Sequence, residues 1–221
     1  MQPADSLLSA ALTHLAQDPV MARLMSETPY PKSFTDYEDA GIAPAHRTDR
    51  VYVALLESIV SQQISVKAAD AIFARLCGLF RDNYPSADAL LALPFDDLRG
   101  AGLSGQKAKY MQSVADFSLT NRLDRPFFET MTDEEIVQYL IPIKGVGRWT
   151  VEMLLMFVLD RPDVFPIDDL VIRQRMMLAY PDRTSGLTGK ALYKRLQEIA
   201  DAWRPYRTTA CRYLWRWKPV V

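Results

Sequence analysis

Ile141-Pro142-Ile143-Lys144-Gly145-Val146-Gly147-Arg148-Trp149-Thr150 lies between two stretches of helical periodicity, and its reading decides the fold. Upstream, Thr132 is followed three residues later by Glu135, the pattern of a capping box, which predicts a helix running to Tyr139. Downstream, apolar spacing predicts a helix from Thr150 to about Leu159. Gly145 and Gly147 allow the backbone to turn sharply and to approach another molecule closely. The amides that open the next helix present the positive end of its dipole, which suits a DNA phosphate. Lys144 and Arg148 flank the turn and offer charge-assisted contacts. An isolated pair of glycines at this spacing reads more simply as a plain helix–turn–helix connection, so the flanking sequence carries the distinction.

Beyond the second helix come Asp163-Val164-Phe165-Pro166-Ile167-Asp168-Asp169-Leu170-Val171-Ile172-Arg173, in which Pro166 stops one element and the paired acids open another. Paired acids at a helix start are ordinarily caps, and negative charge is stabilised there by unpaired amides and the dipole. Toward the N-terminus, a helix beginning at Val51 ends in the polar cluster Ser61-Gln62-Gln63-Ile64-Ser65, and a further helix is predicted from Val66 to Phe80. Short helices over Ala87–Leu91 and Asp96–Arg99 lead through Gly100-Ala101-Gly102-Leu103-Ser104-Gly105 to a helix over Lys107–Leu119. Helical spacing also covers Leu7–Leu15, Pro19–Met25 and Tyr206–Trp217. The stretch from Glu27 to Asp49, with Pro29, Pro31, Gly41 and Pro44, reads as a linker. Nowhere does strand-type alternation persist, so the expected class is all-α.

Composition narrows the function classes. With 221 residues the chain suffices for one compact, bilobal unit, and no apolar run approaches the roughly 20 residues of a membrane span. No membrane association is expected. The first residues lack a secretory pattern, which gives a cytoplasmic expectation, with nucleoid association if the source is bacterial. The two cysteines, Cys77 and Cys211, are too few to ligate an iron–sulfur cluster. Net charge is −1, yet residues 171–221 carry eleven basic residues against three acidic ones, a local +8. That asymmetry fits one basic face toward nucleic acid and fits a solvated helical surface equally well.

Four ordered motifs, Ser58-Ile59-Val60-Ser61-Gln62-Gln63-Ile64-Ser65, Leu98-Arg99-Gly100-Ala101-Gly102-Leu103-Ser104 with Lys107 following, the GVGRWT hairpin and FPIDDLVIRQR, make the chain resemble the helix–hairpin–helix DNA glycosylases. Specifically, it is similar to the AlkA-like 3-methyladenine DNA glycosylase group over most of residues 50–221. The resemblance implies a bilobal helix–hairpin–helix fold with its active site in the cleft between lobes. Residues 46–160 are expected to form an inserted helical lobe, and 1–45 with 161–221 the other. With some 50 residues before Val51, a compact variant without the β-rich N-terminal domain of the bacterial type is expected.

The resemblance also implies roles. The catalytic carboxylate falls on Asp169, with Asp168 as the helix cap. Trp149 and Trp215 are expected to line the base pocket, where aromatic faces attract a cationic base at about 0.5–2 kcal/mol each. Met153 stands where relatives carry a tyrosine, which bears on the range of bases accepted. Gln62, Gln63 and Ile64 match the loop that fills the gap left by an extruded base, with Gln63 in place of the usual apolar wedge, and Ser65 beside them is expected to contact DNA. Lys144, Gly145, Gly147, Arg148 and Thr150 match the phosphate-gripping hairpin. Backbone carbonyls of Ile141, Ile143 and Val146 match a site for a monovalent cation, Na⁺ or K⁺; no other cofactor is implied. Bifunctional members carry a Schiff-base lysine where this chain has Trp149, so a monofunctional enzyme is expected. An alkylated purine is already cationic and departs without a strong acid, and neither His14 nor His46 lies near the motifs. The expected partner is double-stranded DNA with damaged bases, bound by a monomer. Two rivals stand beside this reading. A non-catalytic helix–hairpin–helix DNA-binding module leaves Asp169 and the tryptophans unexplained; against a glycosylase for oxidised or mismatched bases stand Trp149 and the absent cysteine cluster.

Overall fold

The computed structural model describes residues 3–29 and 50–219. Among them there are helices and turns and no strand. Two helices open the chain, α1 (Pro3–Leu15) and α2 (Pro19–Glu27). Eight follow after the undescribed stretch: α3 (Arg50–Ser61), α4 (Val66–Cys77), α5 (Ala87–Ala92), α6 (Phe95–Gly100), α7 (Gly105–Thr120), α8 (Arg125–Glu129), α9 (Asp133–Leu140) and α10 (Arg148–Phe157). The chain closes with α11 (Leu170–Ala179), α12 (Pro181–Thr184), α13 (Gly189–Asp201) and α14 (Arg207–Arg216). The described residues divide into two compact units, 3–29 with 160–219 and 50–159. One division falls between Leu159 and Asp160. The expected boundary at residues 45/46, most of the linker and His46 lie outside the described residues.

The terminal unit is tied together by acids of the N-terminal helices that satisfy buried donors of the C-terminal ones. Asp18 caps α2 through Oδ1, which accepts from the Val20 amide at 2.9 Å. Its Oδ2 accepts from the Tyr180 hydroxyl at 2.6 Å and from Trp203 Nε1 at 3.2 Å. Burial, and then Asp18, push the Tyr180 hydroxyl well above the usual tyrosine range. Trp203 is 1% exposed, with Phe165 and Tyr180 rings against it. Trp217 is likewise buried and donates Nε1 to Glu27 at 2.8 Å. A buried indole is tolerated because its single donor is paired. His14 belongs to this framework too, its Nε2 lying 3.1 Å from the Ala202 carbonyl.

In the other unit α3 is central, packed by α4, α7 and α10 through buried Leu55, Leu56, Ile59 and Val60. The capping box of α9 forms as expected. The Glu135 amide donates to Thr132 Oγ1 at 3.3 Å, and Glu135 Oε2 accepts from the Thr132 amide at 2.7 Å. Three helices have no counterpart in the reading of the sequence, among them the single turn α12. Another is α8, a short turn capped by Asp124 with proline at its start. The third is α13, where Arg195 pairs with Glu198 at 3.2 Å, so part of the basic excess of the C-terminal region is a solvated helical face.

Candidate active site and nucleic-acid interface

In the terminal unit the segment leading to Asp169 is held rigidly. The Thr208 hydroxyl donates to the Arg161 carbonyl at 2.7 Å and accepts from the Val164 amide at 3.0 Å. Asp163 accepts from Arg204 Nη1 at 2.6 Å and from Arg207 Nε at 2.7 Å. Beyond Pro166, the Asp169 amide donates to the Pro166 carbonyl at 2.9 Å, closing a turn that delivers Asp169 to the start of α11. The side chain is 9% exposed and is itself the N-cap, its Oδ1 accepting from the Ile172 amide at 2.8 Å. Trp215, half-buried on α14, donates Nε1 to the same oxygen at 3.1 Å. This corrects the expectation for Asp168, which does not cap the helix. Asp168 accepts from the Tyr193 hydroxyl at 3.1 Å and lies 3.7 Å from Arg173. Two acids at a helix start compete for one cap, and the one whose backbone is extended immediately before the first helical residue takes it.

In the other unit the hairpin joins α9 to α10. Ile143 and Val146 are buried and anchor the turn, while Ile141, Pro142, Lys144, Gly147 and Arg148 are exposed. Only one of the two glycines is required by conformation: Gly145 has φ +90° and its α-carbon faces the Tyr110 ring, whereas Gly147 is extended (φ −103°). A methyl at Gly147 meets no atom of the described chain within 4 Å. Gly147 is the N-cap of α10 and makes no side-chain cap hydrogen bond. Arg148 reaches back to Glu134, its Nη2 donating at 2.7 and 2.8 Å, and thereby holds the Glu134 carboxyl below the usual range. Thr150, expected among surface contacts, is buried on the inner side of α10. The carbonyls of Ile141, Ile143 and Val146 are hard oxygen donors of the kind a monovalent cation takes; that of Ile143 also accepts the Val146 amide at 3.0 Å.

The polar loop after α3 is fixed to this hairpin. Gln62 Nε2 donates to the Gly145 carbonyl at 3.0 Å. Lys107 Nζ, from α7, donates to the Val60 carbonyl at 2.7 Å and the Gln62 carbonyl at 2.8 Å, closing the C-terminal end of α3. Desolvation lowers the Lys107 pKa. Gln63 sits at the tip in a left-handed conformation (φ 60°), exposed, with Ile64 beside it, and Ser65 caps α4 through the Ala68 amide at 3.4 Å. Thus Gln62 and Ser65 build the loop, and Gln63 and Ile64 are what it presents.

Trp149 is 38% exposed and, with Met153, lines a pocket of about 660 Å³ enclosed by α3, α4 and α10. Its wall also contains Glu57, which the reading of the sequence passed over. Burial pushes the Glu57 carboxyl up to about 7, against Arg50, which lowers it, and with Asp70, which raises it further. A signal was present: Glu57 is the only charged residue between Arg50 and Lys67.

Among the described residues no helix is long and apolar enough to cross a membrane, and no group of three His, Cys, Asp or Glu side chains is placed to hold a metal. The model of the HhH-GPD superfamily base excision DNA repair protein matches residues 56–204. DNA-3-methyladenine glycosylase 1 of Schizosaccharomyces pombe is 35% identical over 167 residues, which cover 75% of this chain and 71% of that one. Among solved structures, S. pombe 3-methyladenine DNA glycosylase in complex with abasic DNA superposes with a TM-score of 0.74 at 29% identity, covering 93% of this chain and 95% of the other. The DNA-3-methyladenine glycosidase of Bacillus halodurans gives 0.65 at 29% identity, covering 86% and 89%.

Proposed function

The chain belongs to the HhH-GPD superfamily of base excision DNA repair proteins, and from that premise we propose that it is a monofunctional DNA glycosylase removing alkylated, cationic bases from duplex DNA. The substrates are of the 3-methyladenine and 7-methylguanine type, and the product is an abasic site. The observation that carries the reading is Asp169, a buried carboxylate whose orientation is set by a helix amide and by an indole from a second helix. In the reaction the bond between the base nitrogen and C1′ breaks, and its electron pair leaves with the base, which is thereby neutralised. Positive charge develops on the sugar and Asp169 stabilises it. A water oxygen then bonds to C1′ and its proton passes to Asp169 or solvent.

The duplex is held through the hairpin, where Gly147 gives close approach and Lys144 and Arg148 supply charge, Arg148 exchanging Glu134 for a phosphate. Gln63 and Ile64 enter the space of the extruded base. The carbonyls of Ile141, Ile143 and Val146 would hold a monovalent cation, whose positive charge favours a phosphate at this turn. No cofactor is needed for the hydrolysis itself. Trp149 stacks on or borders the base, Trp215 orients Asp169, and the protein acts as a monomer. The test is release of 3-methyladenine and 7-methylguanine from methylated duplex DNA by the wild type and by Asp169→Asn. Release by the wild type alone, with both proteins binding DNA, supports the reading. No release by either leaves only a DNA-binding module.

A further inference from the structure

Glu57 stands on the face of α3 that looks into the 660 Å³ pocket, opposite Trp149 and Met153 of α10 and Phe73 of α4. The wall is largely apolar, and its charged members are Arg50, Glu57 and Asp70. A carboxyl in such surroundings is costly to ionise unless a positive charge arrives beside it. Resting on the glycosylase reading above, we propose that Glu57 is a specificity-determining residue: the pocket walled by Trp149 and Met153 receives the extruded purine, and the Glu57 carboxylate pairs with the charge and N–H donors of an alkylated one.

The neighbours of Glu57 set the sign of this selection. On its own helix Arg50 opposes a second cation, while Asp70 across on α4 adds negative charge. Cys77, also on α4, has its thiol pushed up to about 11 by burial and then by Glu57, and so stays neutral. The pocket-lining residues of α10, Trp149, Thr150, Met153, Leu154 and Phe157, bring no ionisable group. Lys107 of α7 is engaged at the end of α3 by two carbonyls. With both acids ionised the pocket therefore carries net negative charge, and an incoming cation lowers the cost of ionising Glu57. A neutral purine makes the same stacking contacts and leaves that cost in place. Burial, which disfavours the carboxylate in the empty pocket, becomes discrimination between charged and neutral bases.

The experiment compares binding to three duplexes: one holding 7-methylguanine on a 2′-fluoro sugar, which keeps the cation and resists cleavage; one holding guanine on the same sugar; and one holding a tetrahydrofuran abasic analogue, which sends no base into the pocket. Glu57→Gln is expected to lose about tenfold in preference for the methylated over the unmodified duplex. Its affinity for the abasic analogue should stay within twofold, which also establishes that the variant is folded. Glu57→Asp, which retains the charge, is expected to keep part of the preference. In the wild type the preference should decline as pH falls below about 7, and in Glu57→Gln it should not vary. Full preference in Glu57→Gln, or an equal loss on all three duplexes, overturns the assignment. Should the wild type neither prefer the methylated duplex nor release 7-methylguanine from methylated DNA, it is the glycosylase reading that fails.

Discussion

Trp215 Nε1 donates to Asp169 Oδ1 at 3.1 Å, the same oxygen that accepts the Ile172 amide at 2.8 Å. A helix amide and an indole thus meet on one carboxylate oxygen, and the plane of the carboxylate is held by two different helices. Asparagine caps a helix about as well as aspartate. Asp169→Asn should therefore unfold within about 0.5 kcal/mol of the wild type while losing at least about a hundredfold in base release. Trp215→Phe keeps an aromatic face but frees the carboxylate; an intermediate loss of about tenfold is expected, and single-turnover rates will separate the two effects. Loss of stability in Asp169→Asn comparable to its loss of rate would make the residue a cap alone.

The two hairpin glycines should behave oppositely. At Gly145 φ is +90° and a methyl runs into the Tyr110 ring, so Gly145→Ala is expected to destabilise by about 1–3 kcal/mol. Gly147 is extended with open space beside it, so Gly147→Ala should leave the melting temperature nearly unchanged and weaken duplex binding several-fold. Thermal unfolding paired with binding isotherms reads both.

Lys107 closes α3 and holds the backbone of the loop carrying Gln63. Methionine there keeps the aliphatic stem and leaves two carbonyls without the ammonium, at about 1–3 kcal/mol. Lys107→Met should also lose more affinity for an abasic-site duplex than for an undamaged one, because only the former admits the loop tip. Equal losses would place Lys107 outside base extrusion.

Folding stability should depend on Glu57 between about pH 4.5 and 7. In the native protein this carboxyl is held at about 7 against 4.5 in the unfolded chain, so the folded state binds more protons over that interval. Stability contributed by the neutral form is fully present below about 4.5 and lost as pH rises through 7, to a limit of roughly 3 kcal/mol. Glu57→Gln removes that slope. Urea titrations at about pH 4.5 and 8 should show the variant gaining on the wild type at the higher pH; parallel pH dependences would refute the assignment.

A monofunctional glycosylase, as proposed, forms no Schiff base with its DNA. Borohydride should accordingly trap no covalent adduct between the wild type and a lesion-bearing duplex, as read on a denaturing gel. A trapped adduct would show that some other amine of this chain forms the Schiff base.

Much of this was legible along the chain because it is local. The capping box at Thr132, the turn at Gly145 and the helix opened by the paired acids each depend on residues within a few positions of one another. Less local features were misjudged or missed. Which of Asp168 and Asp169 caps α11 depends on one ψ angle and on an indole from α14. Trp203, Trp215 and Trp217 look alike in sequence, yet two are core residues whose donors are satisfied by Asp18 and Glu27, and one orients the carboxylate. That Gln62, on the loop expected to fill the gap left by the base, donates to the Gly145 carbonyl is a contact across 83 positions of the chain.

By itself, the sequence determined the all-α class, the hairpin and its flanking helices, and the family, because periodicity, caps and glycines act over one or two turns and the motifs appear in order. Only the tertiary structure decided that Glu57 faces a pocket with Trp149 and Met153, that Lys107 braces the loop from α7, and that Asp169 rather than Asp168 is the buried acid. Burial and long-range hydrogen bonds are properties of what packs on a residue, and those neighbours lie tens of positions away in the chain.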